Sequence, residues 1–108
     1  MRPLGVRPDA VHAYHLFVVR IDTARLECDR ATLFVALRRE GIGVNVHYIP
    51  VYWHPFYRRR FGLSEGLCPV AEAAYERMLT LPLFPSMTPA DVSDVIEAVT
   101  KVVEAFRR

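Results

Sequence analysis

Lysine is nearly absent from this sequence: of 14 basic residues, only Lys101 is a lysine. The accompanying bias toward Arg, Ala and Val is explained by coding preference as readily as by function. Cysteine is scarce too. Cys28 and Cys68 stand far apart with no CxxC pair, so neither a metal ribbon nor a redox motif is readable. Charge of one sign is lacking: a net charge of +2 and a pI near 8.7 make no case for nucleic acid. No apolar run approaches membrane length, and the basic start "MRPLGVRPDAVHAY" lacks the apolar stretch of a signal peptide. Repeats and low-complexity segments are missing as well. These absences predict a soluble, reduced, cytoplasmic chain.

What is present suits one small domain. With 108 residues, 52% hydrophobic and 24% charged, the chain can bury one core and has little left for an enclosed catalytic cavity. Residues 1–12, with Pro3, Gly5 and Pro8, read as a linker, leaving a domain over 13–108. "AYHLFVVRID" (13–22) predicts a strand, apolar on both faces from Leu16 to Val19 and so in need of cover on both sides. Asp29 caps a predicted helix with Leu33, Phe34 and Leu37 on one face, Arg38 and Arg39 in the last turn and Gly41 beyond its end. "GVNVHYI" (43–49) alternates like a strand, with Asn45 and His47 on its polar side.

"CPVAEAAYERM" (68–78) predicts a helix opened by Pro69, and "LTLPLF" an extended segment that Pro82 confines to an edge or an end. Thr88-Pro89-x-Asp91 is a capping-box variant. Behind it Val92, Val95, Ile96, Val99, Val102, Val103 and Phe106 mark an apolar helical stripe. The order β-α-β-loop-α-β-α predicts a two-layer α+β domain: a three-stranded mixed or antiparallel sheet with helices on one face and the other face partly bare.

The stretch "NVHYIPVYWHPFYRRRFG" (45–62) holds the densest chemistry. His47 and His54 match no zinc spacing, and Ser64, Ser86 and Ser93 sit in no nucleophile-elbow context. Tyr52, Trp53, Phe56 and Tyr57 beside Arg58–Arg60 superficially fit a single-strand nucleic-acid platform, but one short Arg run is better explained as a solvated helical turn. Trp53, Phe56 and Phe61 suit a lid on the core. His47, on Asn45's face and away from Val44 and Val46, suits either a structural histidine or the wall of a site. Arg20 reads as a salt-bridged edge residue or as a bidentate carboxylate-binding arginine.

Taken in order, "YHLFVVR", "GIGVNVHYIP", "CPVAE" and "LPLFPSMT" resemble the C-terminal small domain of the DegT/StrS sugar aminotransferases, fold-type-I pyridoxal-phosphate enzymes. The likeness covers about His12 to Val103 and is greatest to the branch that aminates nucleotide-linked 4-keto-6-deoxy sugars. It implies amino transfer from glutamate to a keto sugar carried on a nucleotide, in which the Schiff-base lysine moves protons and the pyridine ring takes up electrons. In the family the lysine, the carboxylate on the pyridine nitrogen and the phosphate-binding residues belong to a large domain that these residues do not include. Lys101, on the polar side of the last helix, is unsuited to hold the cofactor.

The resemblance therefore implies a fragment with no catalytic residue of its own and no cofactor bound by it alone. It meets a large domain or a second copy of itself; nucleic acid and membrane are not expected partners. The alternative is a stand-alone, non-enzymatic association module. The family's substrate-side positions fall on His47 and Tyr48. Tyr52 replaces a family histidine, and Pro55-Phe56-Tyr57 replaces Pro-Tyr-Tyr with loss of one hydroxyl. The implied sugar-facing set is His47, Tyr48, Tyr52, His54 and Tyr57, with Arg20 as the carboxylate candidate.

Overall fold

A computed structural model describes residues 1–108. Its longest element, helix α4 (Pro89–Ala105), starts as its sequence predicts. The Thr88 side chain accepts from the Asp91 amide, and Asp91 accepts from the Thr88 amide at 2.7 Å, closing the capping box over Pro at the first turn. Helix α1 (Arg30–Arg39) is opened by Asp29, which accepts from the Thr32 amide at 2.8 Å. Gly41, at φ 81°, turns the chain out of it as only glycine does without steric cost.

The sheet is antiparallel in the order β1 (Arg2–Pro3), β2 (Phe17–Arg20), β3 (Met78–Leu81). Val19 faces Leu79 across the β2–β3 ladder. Both are buried in one cluster with Leu33 and Leu37 of α1 and Ala98 and Val102 of α4. Because side chains alternate along a strand, the opposite face carries Val18, Arg20, Met78 and Thr80. Two layers with helices on one sheet face is the architecture the sequence predicts.

Three expectations change. Residues 43–49 do not form a strand; the pairing is a single bridge, Asn45 with Thr80. The Asn45 side chain accepts from the Val46 amide at 2.8 Å, diverting a donor that a longer ladder would use. The third strand comes instead from Arg2–Pro3, inside the segment read as a linker, where an edge position tolerates proline. The helical turn expected at Arg58–Arg60 is kept, as part of helix α2 (Pro55–Phe61), with Pro at its first turn and Gly62 at φ 64° ending it. Helix α3 (Pro69–Tyr75) stops short of the predicted end because the Arg77 carbonyl accepts from the Ile21 amide at 2.7 Å, leading into β3.

The α4 stripe also divides. Val95, Val99, Val103 and Phe106 pack against the core around Ala98 and Val102, but Val92 and Ile96 are exposed, Ile96 by 61%. Their flank of the helix lies beyond the reach of the small sheet. No helix is long and apolar enough to cross a membrane.

Candidate functional site

The site is built where the 44–48 segment meets β3. The mutual backbone bonds of Asn45 and Thr80, 3.1 and 2.8 Å, hold the two chains together and put Val44 into the core, fully buried. His47 follows on Asn45's side and its Nδ1 lies 3.0 Å from Thr80 Oγ1. This is the register the sequence predicts, with the polar side chains away from Val44 and Val46. Thr80 is itself buried, so its hydroxyl is satisfied by His47 and the imidazole is oriented in return. Asn45, His47 and Thr80 line an open cleft of about 570 Å³ that runs past Leu81–Phe84 to Asp91, Asp94 and Val95 at the start of α4. A half-buried imidazole of fixed orientation beside an open cleft offers a hydrogen bond to a polar ligand.

Beyond His47 the peptide to Tyr48 is cis, and the Tyr48 ring stands edge-on to the imidazole with centroids 4.6 Å apart. Tyr48 is 67% exposed, so its hydroxyl is free to meet a ligand or a partner.

The Tyr52 hydroxyl is already engaged. It donates to Glu72 Oε1 of α3 at 2.6 Å, and both Glu72 oxygens accept from the Gly66 amide at 2.8 and 3.0 Å. Partial burial and then the bond to Glu72 push the Tyr52 phenol up to about 12. The same bond, with help from the Gly66 amide, holds Glu72 below the usual carboxylate range. Trp53 packs edge-on against Tyr75, centroids 5.4 Å apart, and Tyr75 lies under the Arg30 guanidinium of α1 at 4.4 Å. The buried Trp53 indole N–H meets no acceptor in hydrogen-bond geometry, although it lies near enough to Glu72 to help hold that carboxylate down.

The other predicted positions lie apart. His54 is exposed and precedes α2. Tyr57 is exposed on α2, stacked on Phe61 and edge-on to Phe56. The lid reading is corrected for Phe56 and Phe61, which are 60% and 59% exposed, because α2 leans on the Val51–Trp53 turn and not on the core; Trp53 does pack inward. Arg20 makes no ion pair. It lies on His47's sheet face but farther along β2, lining a shallow depression with Val70, Ala73 and Arg77 outside the His47 cleft.

The sequence reading missed Thr80 and Glu72. Thr80 had a signal, as the lone polar residue inside the apolar strand "MLTL". Glu72 is the last residue of the motif "CPVAE", a signal passed over because a glutamate in a short helix ordinarily faces water.

Comparison with known proteins follows the same lines. The structure superimposes on Spr1654 of Streptococcus pneumoniae, described as a sugar aminotransferase and solved in its PMP-form, with a TM-score of 0.84 and 31% identity over 96% of this chain and 26% of that one. It superimposes on Helicobacter pylori PseC, an aminotransferase involved in the biosynthesis of pseudoaminic acid, with a TM-score of 0.75 and 25% identity over 85% and 24%. In sequence it is 45% identical to the spore coat polysaccharide biosynthesis protein SpsC of Bacillus subtilis, over 92% of this chain and 26% of that protein. It is 42% identical to the uncharacterized protein MJ1066 of Methanocaldococcus jannaschii, over 94% and 26%. The chain thus spans about a quarter of the length of the relatives it matches. With residues 2–100 matching its model, the chain belongs to the DegT/DnrJ/EryC1/StrS aminotransferase family.

Proposed function

We propose that this chain is the C-terminal small domain of a cytoplasmic transaminase that moves an amino group from glutamate to a nucleotide-linked 4-keto-6-deoxy sugar. His47 and Tyr48 form the sugar-facing rim, and His54 and Tyr57, which lie apart from the His47 cleft in this chain, extend it along the following turn and α2. Tyr52 supports that rim, and Arg20 is the carboxylate candidate. The observation that carries this reading is the His47–Thr80 pair at the mouth of an open cleft between β3 and the start of α4.

Aminotransferases of this family depend on pyridoxal phosphate, and Spr1654 has been solved in PLP- and PMP-forms. The residues here do not fit attachment of that group. Lys101, the only lysine, projects from the helical layer, is 66% exposed and pairs with Glu40 Oε2 at 2.8 Å. The cleft holds no other amine. No catalytic step is therefore assigned to these residues, whose role is to bind and orient.

The test starts from the complete reading frame that contains this chain. Its product is expected to aminate dTDP-4-keto-6-deoxyglucose with glutamate as donor, whereas the 108 residues alone do not. Borohydride treatment of the isolated chain with pyridoxal phosphate is expected to leave Lys101 unmodified above background. Turnover by the isolated chain, or a stoichiometric Lys101 adduct, would refute the proposal. The exposed, ion-paired Lys101 also supports a second reading, a non-enzymatic association module. An upstream sequence that encodes no lysine-bearing large domain would favour it.

A further inference from the structure

The bonds around Glu72 tie together three segments that no secondary-structure ladder joins. Tyr52 belongs to the Val51–Trp53 turn, Gly66 to the loop after α2, and Glu72 to α3. A carboxylate that accepts from one hydroxyl and one amide, both short, has spent its near lone pairs inside the protein. One turn along α3, Tyr75 holds Trp53, the neighbour of Tyr52. Tyr75 is anchored in its turn, because Arg30 donates to its carbonyl and covers its ring. Residues i and i+3 of one short helix therefore grip consecutive residues of the rim. Upstream, the rim between Tyr48 and Val51 is exposed and has little else to hold it: Tyr48, Ile49 and Val51 all lie open.

We propose that Glu72 is a positioning residue: it fixes the Val51–His54 turn through Tyr52 and Gly66, and so sets the rim against which the ligand is read, without touching the ligand. This rests on the sugar-rim reading above and adds to it that Tyr52 acts as a strut, its donor hydrogen committed to Glu72.

Trp53 is the only tryptophan of the chain, so its emission reports the turn directly. In the 108-residue chain, Glu72→Ala shifts Trp53 emission to the red and raises acrylamide quenching by about twofold or more, with far-UV circular dichroism unchanged. Glu72→Gln keeps an acceptor oxygen for Tyr52 and stays near wild type. Tyr52→Phe gives a smaller shift, and adding Glu72→Ala to it costs less than Glu72→Ala alone, because the two share one bond.

In the complete enzyme, Glu72→Ala raises KM for dTDP-4-keto-6-deoxyglucose by about tenfold with kcat within about twofold, and Glu72→Gln restores KM. The proposal is overturned if Glu72→Ala leaves Trp53 emission or KM unmoved. It is also overturned if Gln is as damaging as Ala, which would make the charge itself the ligand contact. A third refutation is Tyr52→Phe raising KM where Glu72→Ala does not. If the complete wild-type protein has no activity on the keto sugar, the sugar reading fails, and the Trp53 measurements alone decide whether Glu72 positions the turn.

Discussion

Tyr52 and Glu72 are one hydrogen bond seen from its two ends, and that bond predicts how the fold responds to pH. The Tyr52 phenol is raised from 10.0 to about 12 in the folded chain, so its contribution is complete below about 10 and is lost as pH rises toward 12. Glu72 is held below its ordinary 4.5, chiefly by Tyr52, so its contribution is present above 4.5 and is lost as pH falls through the folded value. Asp29 and Asp91 add to the acid side: each is held below 3.8, Asp29 first by the Thr32 amide and Asp91 first by the Thr88 hydroxyl. Urea unfolding across pH is expected to show stability falling at both extremes, and Tyr52→Phe is expected to flatten the alkaline fall. An alkaline limb unaffected by Tyr52→Phe would show that the bond does not form in solution.

The apolar residues of the helices divide into those that meet the sheet and those that do not. Leu37 of α1 is fully buried against Val19, Leu79 and the α4 seam, so Leu37→Ala is expected to cost about 2–5 kcal/mol. Ile96 of α4 sits in the same apolar stripe by sequence but lies exposed, and Ile96→Ser is expected to move stability by less than about 0.5 kcal/mol. Chemical denaturation of the two variants separates the cases. A loss at Ile96 comparable to that at Leu37 would mean that the exposed flank is covered in solution.

That flank belongs to a feature of the whole molecule. The accessible surface is 7814 Å², against about 6,100 Å² expected for a self-contained protein of 12.4 kDa. The radius of gyration is 15.8 Å, against about 13 Å for a compact domain of this length. Only 12 of 108 residues are buried, while Val11, Tyr48, Val51, Phe56, Phe61 and Val70 stand open. Surface of this kind is what a domain shows when it is shaped against something larger, as the proposed function requires. The isolated chain is therefore expected to bind an apolar dye such as ANS in its folded state and to gain mass with concentration in sedimentation. A dye-silent, strictly monomeric chain would contradict the inference.

Short-range chemistry made much of this legible in advance. Asp29, Thr88–Asp91, Pro69 and Gly41 announce helix ends because a cap is satisfied within four residues, and the alternation around Asn45 set His47 apart from Val44 and Val46 wherever the segment paired. Pro55 and Gly62 carry the same signals at the two ends of α2, around the helical turn expected at Arg58–Arg60. What tertiary structure alone decided lies between residues distant in the chain. Arg2–Pro3 becomes a strand because β2 has a free edge, and Val92 and Ile96 lie bare because the sheet is too small to reach them. Tyr52 is a strut because Glu72, twenty positions away and with no local pattern to pair the two, arrives beside it. Local patterns govern which backbone groups can be satisfied nearby; the partners of side chains are set by which surfaces the finished packing brings together.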